Sequence, residues 1–177
     1  DVPNEEAMNA IHYFKSQNIE TTMITGDAKL TGEAVGRLVG VDQVFANVLP
    51  EEKSAIVDQL KREVGMTGMV GDGINDAPAL VNADIGVAMG DGTDIAIDVA
   101  DVVVMKNDLS KLGYAHRVSK RLNKIVQQNI IFSMLVVATL IILNFLGIAN
   151  IAFSVLIHEG STLVVIFNGL RLLVNTK

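Results

Sequence analysis

A long run without charge limits the fold of this chain more than any other feature. Between Asn129 and Asn150 the sequence reads IIFSMLVVATLIILNFLGIA, and it contains no charged residue. About 20 apolar residues in a helix cross a hydrocarbon core of roughly 30 Å, so this run predicts a membrane helix over about 129–148. A turn around Gly147 and a second apolar run over about 151–174 complete a predicted membrane hairpin. The alternative, a hairpin buried in a soluble core, rarely contains two such runs in tandem.

The hydrophobic residues are concentrated in one part of the chain. Half of the 177 residues are hydrophobic, but the excess falls after residue 124. This distribution predicts a first domain over 1–124 and membrane helices within 125–177. Nearly all acidic residues lie in the first part, and the net charge of −6 argues against binding to nucleic acid. The chain has no cysteine, and it therefore has neither a disulfide nor a thiolate metal site.

Basic residues flank the predicted hairpin and indicate its orientation. They precede the first span and close the second: Lys111, Arg117, Lys120, Arg121 and Lys124, then Arg171 and Lys177. Cytoplasmic loops carry an excess of lysine and arginine, so both ends of the hairpin are predicted to lie in the cytoplasm. The first domain is then cytoplasmic as well. The chain is expected in the cell membrane, as a multi-pass protein in contact with the lipid bilayer.

The first domain alternates between helical and strand-like patterns. Apolar residues at helical spacing predict helices, and short apolar runs between turn residues predict strands. The predicted helices cover 5–17, 28–39, 50–64 and 76–82, and the predicted strands cover 21–25, 44–46, 67–70, 85–89 and 101–105. This alternation predicts an α/β fold with a mostly parallel sheet and helices on both faces. Ligands of such sheets bind at the carboxyl ends of the strands.

Polar side chains follow two of the predicted strands. Gly71-Asp72-Gly73-Ile74-Asn75-Asp76 comes directly after an apolar strand, and Thr25-Gly26-Asp27 ends another. Oxygen atoms of hydroxyl, amide and carboxylate groups are the ligands that Mg²⁺ prefers in proteins. Because the carboxyl ends of parallel strands lie at the same edge of a sheet, the two segments predict one site for phosphate and magnesium.

Two acidic turns also have simpler explanations. Gly90-Asp91-Gly92 resembles a metal loop, but a helix that begins after Thr93 or Asp94 accounts for it. Asp27 adjoins the helix predicted over 28–39, so capping of that helix would also explain its carboxylate. The Gly90-Asp91-Gly92 turn is therefore not offered as a site, whereas Asp27 stays a candidate.

Ionisable residues interrupt the second apolar run. His158 and Glu159 lie within it, and Thr162 follows one helical turn beyond His158. Ionisable groups at membrane depth are costly, and they usually face an ion path or a partner. Imidazole and carboxylate also bind divalent transition metals. The three side chains are predicted to bind a transported metal, and the alternative is that they pack by hydrogen bonding to neighbouring helices.

An ordered set of motifs resembles a known family. It consists of Thr25-Gly26-Asp27, Lys53 after Pro50-Glu51-Glu52, and GDGINDAPAL over 71–80. This set closely resembles the phosphorylation domain of P-type cation-transporting ATPases, which has the haloacid-dehalogenase-like fold. The segments His158-Glu159-Gly160-Ser161-Thr162 and Asn168-Gly169-Leu170-Arg171-Leu172 look like the last membrane helix of the heavy-metal branch. They are most similar to the subgroup that exports cobalt, zinc or ferrous iron.

The resemblance implies roles for the residues at the strand ends. Asp72 would hold Mg²⁺, which neutralises charge on a phosphoryl group during its transfer. Asn75 and Asp76 would support that site by orienting the metal's ligands and by hydrogen bonding to phosphate. Thr25 and Gly26 would supply a hydroxyl and a backbone N–H to the phosphoryl oxygens.

It also implies roles for three further groups. Lys53 would place a positive charge against the phosphoryl oxygens, and Asp27 would lie near the nucleotide. His158, Glu159 and Thr162 would bind the exported ion. Their nitrogen and oxygen atoms suit Co²⁺, Zn²⁺ or Fe²⁺ better than Cu⁺, which favours sulfur.

The resemblance covers the C-terminal part of such a pump. The phosphorylated aspartate, the nucleotide and actuator domains and the earlier membrane helices would belong to the rest of the protein. These parts, together with ATP, are the expected partners of this chain. A first residue other than methionine fits a fragment or a processed piece. The chain alone is therefore expected to lack ATPase activity.

Two other classes of function stay open. A membrane-anchored phosphatase of the haloacid-dehalogenase type would use the same magnesium and phosphate chemistry. It would need a nucleophilic aspartate at the end of an early strand, and no such motif occurs in the sequence. A non-catalytic accessory membrane module needs no nucleophile, but it leaves Lys53 and residues 72–76 without a purpose.

Overall fold

Strands and helices alternate along the first part of the chain, as the sequence predicts. The computed structural model describes residues 5–105 and 108–174. The helices are α1 (Glu5–Ser16), α2 (Lys29–Val39), α3 (Lys53–Val64), α4 (Ala77–Asn82), α5 (Asp94–Val99), α6 (Ser110–Phe145) and α7 (Ile151–Val174). The strands are β1 (Thr22–Ile24), β2 (Gln43–Phe45), β3 (Gly68–Gly71), β4 (Ile85–Met89) and β5 (Val102–Val104). Short 3-10 turns precede α3 and α4, at Pro50–Glu52 and Ile74–Asp76.

The chain divides into an α/β unit, Asp1–Gly113, and a helical unit, Tyr114–Lys177. This division lies within the first turn of α6, because that helix runs without a break from Ser110 to Phe145. The domain boundary predicted near Lys124 lies inside the same helix. It stays a prediction of where the membrane-embedded part begins.

All strand pairs in the α/β unit are parallel, but the described strands form two sheets rather than the one that was predicted. β1 pairs with β2, where Met23 lies opposite Val44. The second sheet has the order β3-β4-β5. The reason is that, within the described residues, β1 and β3 do not pair with each other. Each of these two strands therefore has a neighbour on one edge only.

The core of the α/β unit lies on both sides of β4. Ala88 packs with Leu80 and Ala96, which belong to α4 and α5. Val87 and Met89 point to the opposite face, because side chains alternate along a strand, and they pack with Val104 and other apolar residues. The central strand of the three-stranded sheet is thus covered on both faces, as is usual for parallel sheets. This packing fixes the carboxyl ends of β3 and β4, where the motif residues lie.

The helical unit is an antiparallel hairpin of two long helices. α6 and α7 are both long and apolar enough to span a membrane. The chain turns at Gly147, whose φ of 70° lies in the left-handed region that glycine adopts without strain. Partly buried residues recur at spacings of three or four along both helices, as in paired helices. They are Asn129, Ser133, Val136, Leu140 and Leu143 on α6, and Ser154, Ile157, Ser161, Val165 and Asn168 on α7.

Candidate functional site

One ion pair joins the segment that follows β2 to the segment that follows β3. Lys53, the first residue of α3, lies with its Nζ 2.6 Å from Asp76 Oδ1. Asp76 ends the turn that follows β3. Both side chains are largely withdrawn from water, with exposed fractions of 19% for Lys53 and 10% for Asp76. The structure thus brings together two candidate residues that are 23 positions apart in the sequence.

The second oxygen of Asp76 holds the Asp72 turn. Asp76 Oδ2 accepts hydrogen bonds from the backbone N–H groups of Asp72 at 3.4 Å and Gly73 at 3.3 Å. Glycine is needed at position 71, since a Cβ there would lie 2.6 Å from the Cβ of Asp76. Both oxygens of Asp76 are therefore engaged, one by Lys53 and the other by the turn. Asp76 thus holds the turn and the Lys53 ammonium group close together.

Asp72 is the exposed carboxylate of the turn. It follows the last residue of β3, and its side chain forms no hydrogen bond within the described residues. Its backbone is fixed, because Asp72 O accepts a hydrogen bond of 2.9 Å from Thr93 N. Asn75 is also exposed. An open carboxylate on a rigid backbone is the donor that a hard cation such as Mg²⁺ requires.

Thr25, Gly26 and Asp27 form a second turn at the end of β1. Thr25 Oγ1 accepts a hydrogen bond of 3.1 Å from Asp27 N, and Thr25 O accepts one from Val48 N at the same distance. Gly26 and Asp27 are exposed. The capping explanation for Asp27 is wrong, because α2 starts after Ala28 without a side-chain cap. Within the described residues, no hydrogen bond links this turn to Asp72.

The Gly90-Asp91-Gly92 turn has the structural role that the sequence suggested. Thr93 is the N-cap of α5, and its side chain accepts a hydrogen bond from Ala96 N. The helix begins at Asp94. The turn also touches the candidate site, since a Cβ on Gly92 would lie 2.6 Å from Asp72 O.

His158 and Glu159 line a shallow, open cavity of about 560 Å³ in the helical unit. Thr162 is exposed on the same helix, and its hydroxyl donates a hydrogen bond of 3.3 Å to His158 O. Thr162 does not line the cavity. The described residues contain no group of three or more histidine and acidic side chains that could hold a metal by themselves.

Two polar residues of this cavity were missed by the sequence reasoning. Asn144 and Ser154 line it together with His158 and Glu159. Asn144 Nδ2 donates a hydrogen bond of 3.0 Å to Ser154 Oγ across the hairpin. The sequence did contain a signal for them. Asn144 and Ser154 are polar residues that interrupt apolar runs, each about one or two helical turns from an end of its run.

Both the sequence and the fold of this chain are similar to those of known proteins. The haloacid dehalogenase-like hydrolase family matches residues 1–84. The zinc-transporting ATPase of Bacillus subtilis (strain 168) is 49% identical over 168 residues, covering 95% of this chain and 26% of the relative. The cadmium, zinc and cobalt-transporting ATPase of the same organism is 43% identical over 178 residues, covering 98% of this chain and 25% of the relative.

A solved structure is similar over almost the whole chain. The crystal structure of a zinc-transporting PIB-type ATPase in its E2.Pi state has a TM-score of 0.92 and 33% identity. It covers 98% of this chain and 28% of the solved one. The chain thus spans about a quarter of the length of these relatives. The α/β unit is the cytoplasmic, haloacid-dehalogenase-like part, and α6 and α7 are membrane helices. The chain belongs to the family of heavy-metal-transporting P-type ATPases.

Proposed function

We propose that this chain is part of an ATP-driven pump that exports a divalent transition metal. In this proposal the α/β unit carries most of a magnesium-dependent phosphoryl-transfer site, and α7 carries ligands for the exported ion. The observation that carries the proposal is that two neighbouring carboxylates have different surroundings. Asp72 is exposed and unengaged within the described residues, whereas Asp76 is bound to Lys53 and to the Asp72 turn.

Asp72 is the residue that would hold Mg²⁺. Its exposed carboxylate follows β3, and its backbone is fixed by Thr93, so the ligand needs little reorganisation. The cation supplies neutralisation of the charge that develops on the phosphoryl group. Asn75 stands exposed beside it and can donate a hydrogen bond to a phosphate oxygen.

Lys53 provides the fixed positive charge of the site. Its ammonium group has three donors, of which the bond to Asp76 Oδ1 uses one. The remaining donors are available to phosphoryl oxygens, while Asp76 holds the side chain in place. Thr25 and Gly26 would add hydroxyl and backbone contacts, and Asp27 would lie towards the nucleotide. These roles rest on the family pattern and on the exposure of the Gly26–Asp27 turn.

The phosphorylated aspartate would come from the rest of the protein. Within the described residues, β1 pairs only with β2 and β3 only with β4, so each has an edge that another strand could pair with. The Lys53–Asp76 pair holds the segment after β2 close to the segment after β3. We therefore expect a strand from outside this chain at these edges. The purified chain should show no ATPase activity, and steady metal-stimulated phosphate release by it would refute this part of the proposal.

The exported ion would bind at His158, Glu159 and Thr162. Imidazole nitrogen and carboxylate oxygen suit Co²⁺, Zn²⁺ or Fe²⁺, and relatives named for zinc and for cadmium, zinc and cobalt support a divalent ion. Thr162 would use a lone pair that its bond to His158 O leaves free. The remaining ligands would come from membrane helices outside this chain.

The test is ATP hydrolysis by the complete, detergent-solubilised pump. The protein is titrated with Co²⁺, Zn²⁺, Fe²⁺, Cu⁺ and K⁺, and the titration is repeated with Glu159→Gln and with the exposed control Glu20→Gln. We expect a divalent transition metal to stimulate hydrolysis, and only Glu159→Gln to abolish the stimulation. No stimulation, alongside steady magnesium-dependent hydrolysis of small phosphate esters, would favour the anchored phosphatase.

A further inference from the structure

The cavity beside His158 and Glu159 contains a second polar pair. Asn144, in the last turn of α6, donates from Nδ2 to Ser154 Oγ at 3.0 Å and to Leu140 O at 2.8 Å. Apart from these four polar residues, the cavity is lined by apolar side chains. In an apolar wall, unexplained polar groups are candidates for contact with an ion or with water.

The pair lies on the side of His158 that is nearer the turn of the hairpin. Ser154 precedes His158 by four residues on α7, which is about one helical turn or 5–6 Å along the axis. Both ends of the hairpin are predicted to face the cytoplasm. Asn144 and Ser154 therefore stand between the candidate metal ligands and the opposite side of the membrane.

The chemistry of the pair suits weak and transient binding. Both amide protons of Asn144 are engaged, and its Oδ1 has no partner within the described residues. Ser154 is left with a hydroxyl proton and a lone pair. Neutral amide and hydroxyl oxygens bind a transition metal less strongly than imidazole and carboxylate do. They can also replace water molecules around a partly hydrated ion.

We propose, resting on the proposed function, that Asn144 and Ser154 form the first step of the metal's release path. The divalent ion leaves His158 and Glu159 and meets these two weaker oxygen ligands before it reaches the surface opposite the cytoplasm. No covalent bond changes. The two residues lower the free-energy barrier for dissociation of the ion from His158 and Glu159, and they do not raise the equilibrium affinity of that site.

A hydrogen bond between Asn144 and Ser154 is also expected if the two residues only fasten the helices together. Asn129 and Asn168 are linked across the other end of the hairpin by a bond of 2.8 Å, so such bonds also fasten the helices. The variants must therefore remove an oxygen without changing packing. Ser154→Val and Ser154→Thr have nearly the same shape and differ in the hydroxyl. Ser133→Val removes a hydroxyl from the same hairpin away from the cavity.

The experiment follows Zn²⁺ release from the complete pump. The protein is loaded with Zn²⁺ and mixed with ATP and a fluorescent zinc chelator in a stopped-flow instrument, and equilibrium Zn²⁺ affinity is titrated separately. Loss of one bond to a charged group predicts that Ser154→Val and Asn144→Leu slow ATP-driven release about tenfold. Equilibrium affinity stays within about threefold, since the strong ligands are unchanged. Ser154→Thr and Ser133→Val should release Zn²⁺ at the wild-type rate.

The outcomes separate this inference from the proposed function. The release step would be overturned if Ser154→Val released Zn²⁺ as fast as Ser154→Thr does. It would also be overturned if Ser133→Val slowed release as much as Ser154→Val does. The pump proposal would stand in either case, provided that ATP accelerates release in the wild type and that Glu159→Gln abolishes Zn²⁺ binding. A wild-type protein whose Zn²⁺ release does not respond to ATP would refute the proposed function and this inference together.

Discussion

The tripeptide Gly-Asp-Gly occurs twice at the same edge of one sheet. The first turn, Gly71-Asp72-Gly73, begins at the last residue of β3, and the second turn, Gly90-Asp91-Gly92, follows β4, its parallel neighbour. Asp72 and Asp91 are both exposed. The two turns differ in the residues that hold them. The first turn is held by Asp76 and Lys53, and the second leads into the Thr93 cap of α5.

The same tripeptide thus has different neighbours in the two turns. Asp76 binds the backbone of the first turn and pairs with the largely buried ammonium group of Lys53. The second turn forms no ion pair within residues 5–105 and 108–174. It supports the first turn, since Thr93 N donates to Asp72 O at 2.9 Å. One turn is therefore interpreted as the reacting one, and the other as its structural support.

The largest expected effect separates the two aspartates directly. In the complete pump, Asp72→Asn should lower ATP turnover about 100-fold or more, because the charge that would hold Mg²⁺ is lost from a preorganised site. Asp91→Asn, the same change in the second turn, should leave turnover within about twofold. Both are measured as phosphoenzyme turnover with labelled ATP. Equal losses in the two variants would contradict the assignment of the first turn as the reacting one.

The next effect concerns the cation that distinguishes the first turn. Lys53→Met leaves Asp76 largely buried without its partner, which should lower unfolding stability by about 1–3 kcal/mol, less than for a fully buried pair. Turnover should fall as well, since the positive charge is removed. Lys61→Met is the control on the same helix, because the Lys61–Asp84 pair is longer, at 3.1 Å, and about one-third exposed. Thermal unfolding followed by circular dichroism should show the smaller loss for Lys61→Met.

A third variant tests whether the second turn supports the first. A Cβ at Gly92 would lie 2.6 Å from Asp72 O and 2.8 Å from Met89 O, so Gly92→Ala should cost about 1–3 kcal/mol and displace Asp72. Magnesium-dependent turnover should fall with it. In Gly68→Ala the nearest atom is Ile85 O at 3.7 Å, an ordinary contact, and stability should change little. Full activity of Gly92→Ala would show that Asp72 does not depend on the second turn.

The smallest effect comes from a carboxylate with a structural role alone. The pKa of Asp42 is lowered to about 2 by a hydrogen bond from Lys15 and by two from Thr21. This pKa lies below the unfolded value of about 3.9, so Asp42 stabilises the fold above about pH 4 and loses that contribution as the pH falls towards 2. Asp42→Asn should lower the unfolding temperature slightly at neutral pH and not near pH 2. A difference that persists at pH 2 would assign the effect to packing.

Local and periodic features were predictable from the sequence. Most of the helices, the parallel strands and the two apolar spans follow from hydrophobic spacing, although the part of α6 before residue 129 was not predicted. The Thr93 cap follows from a residue type that accepts backbone hydrogen bonds. The strand-end positions of Asp72 and Thr25 follow from the parallel topology. These features depend on neighbours in the chain, so the sequence carries them directly.

Features that depend on distant contacts were not predictable. The Lys53–Asp76 pair joins two residues that are 23 positions apart, and no local pattern indicates that they meet. The division of the strands into two sheets depends on which edges find a partner. The Asn144–Ser154 bond requires the register of the hairpin, which single-residue patterns do not set. Such contacts are decided by packing, after the local elements have formed.

Transport tests the central claim most directly, namely that the first turn and the His158–Glu159 pair belong to one machine. The complete pump is reconstituted into vesicles, and ATP-dependent uptake of Zn²⁺ is measured for the wild type and for three variants. We predict that Asp72→Asn and Glu159→Gln each abolish uptake, while Asp91→Asn retains it. Undiminished uptake in either of the first two variants would contradict the account.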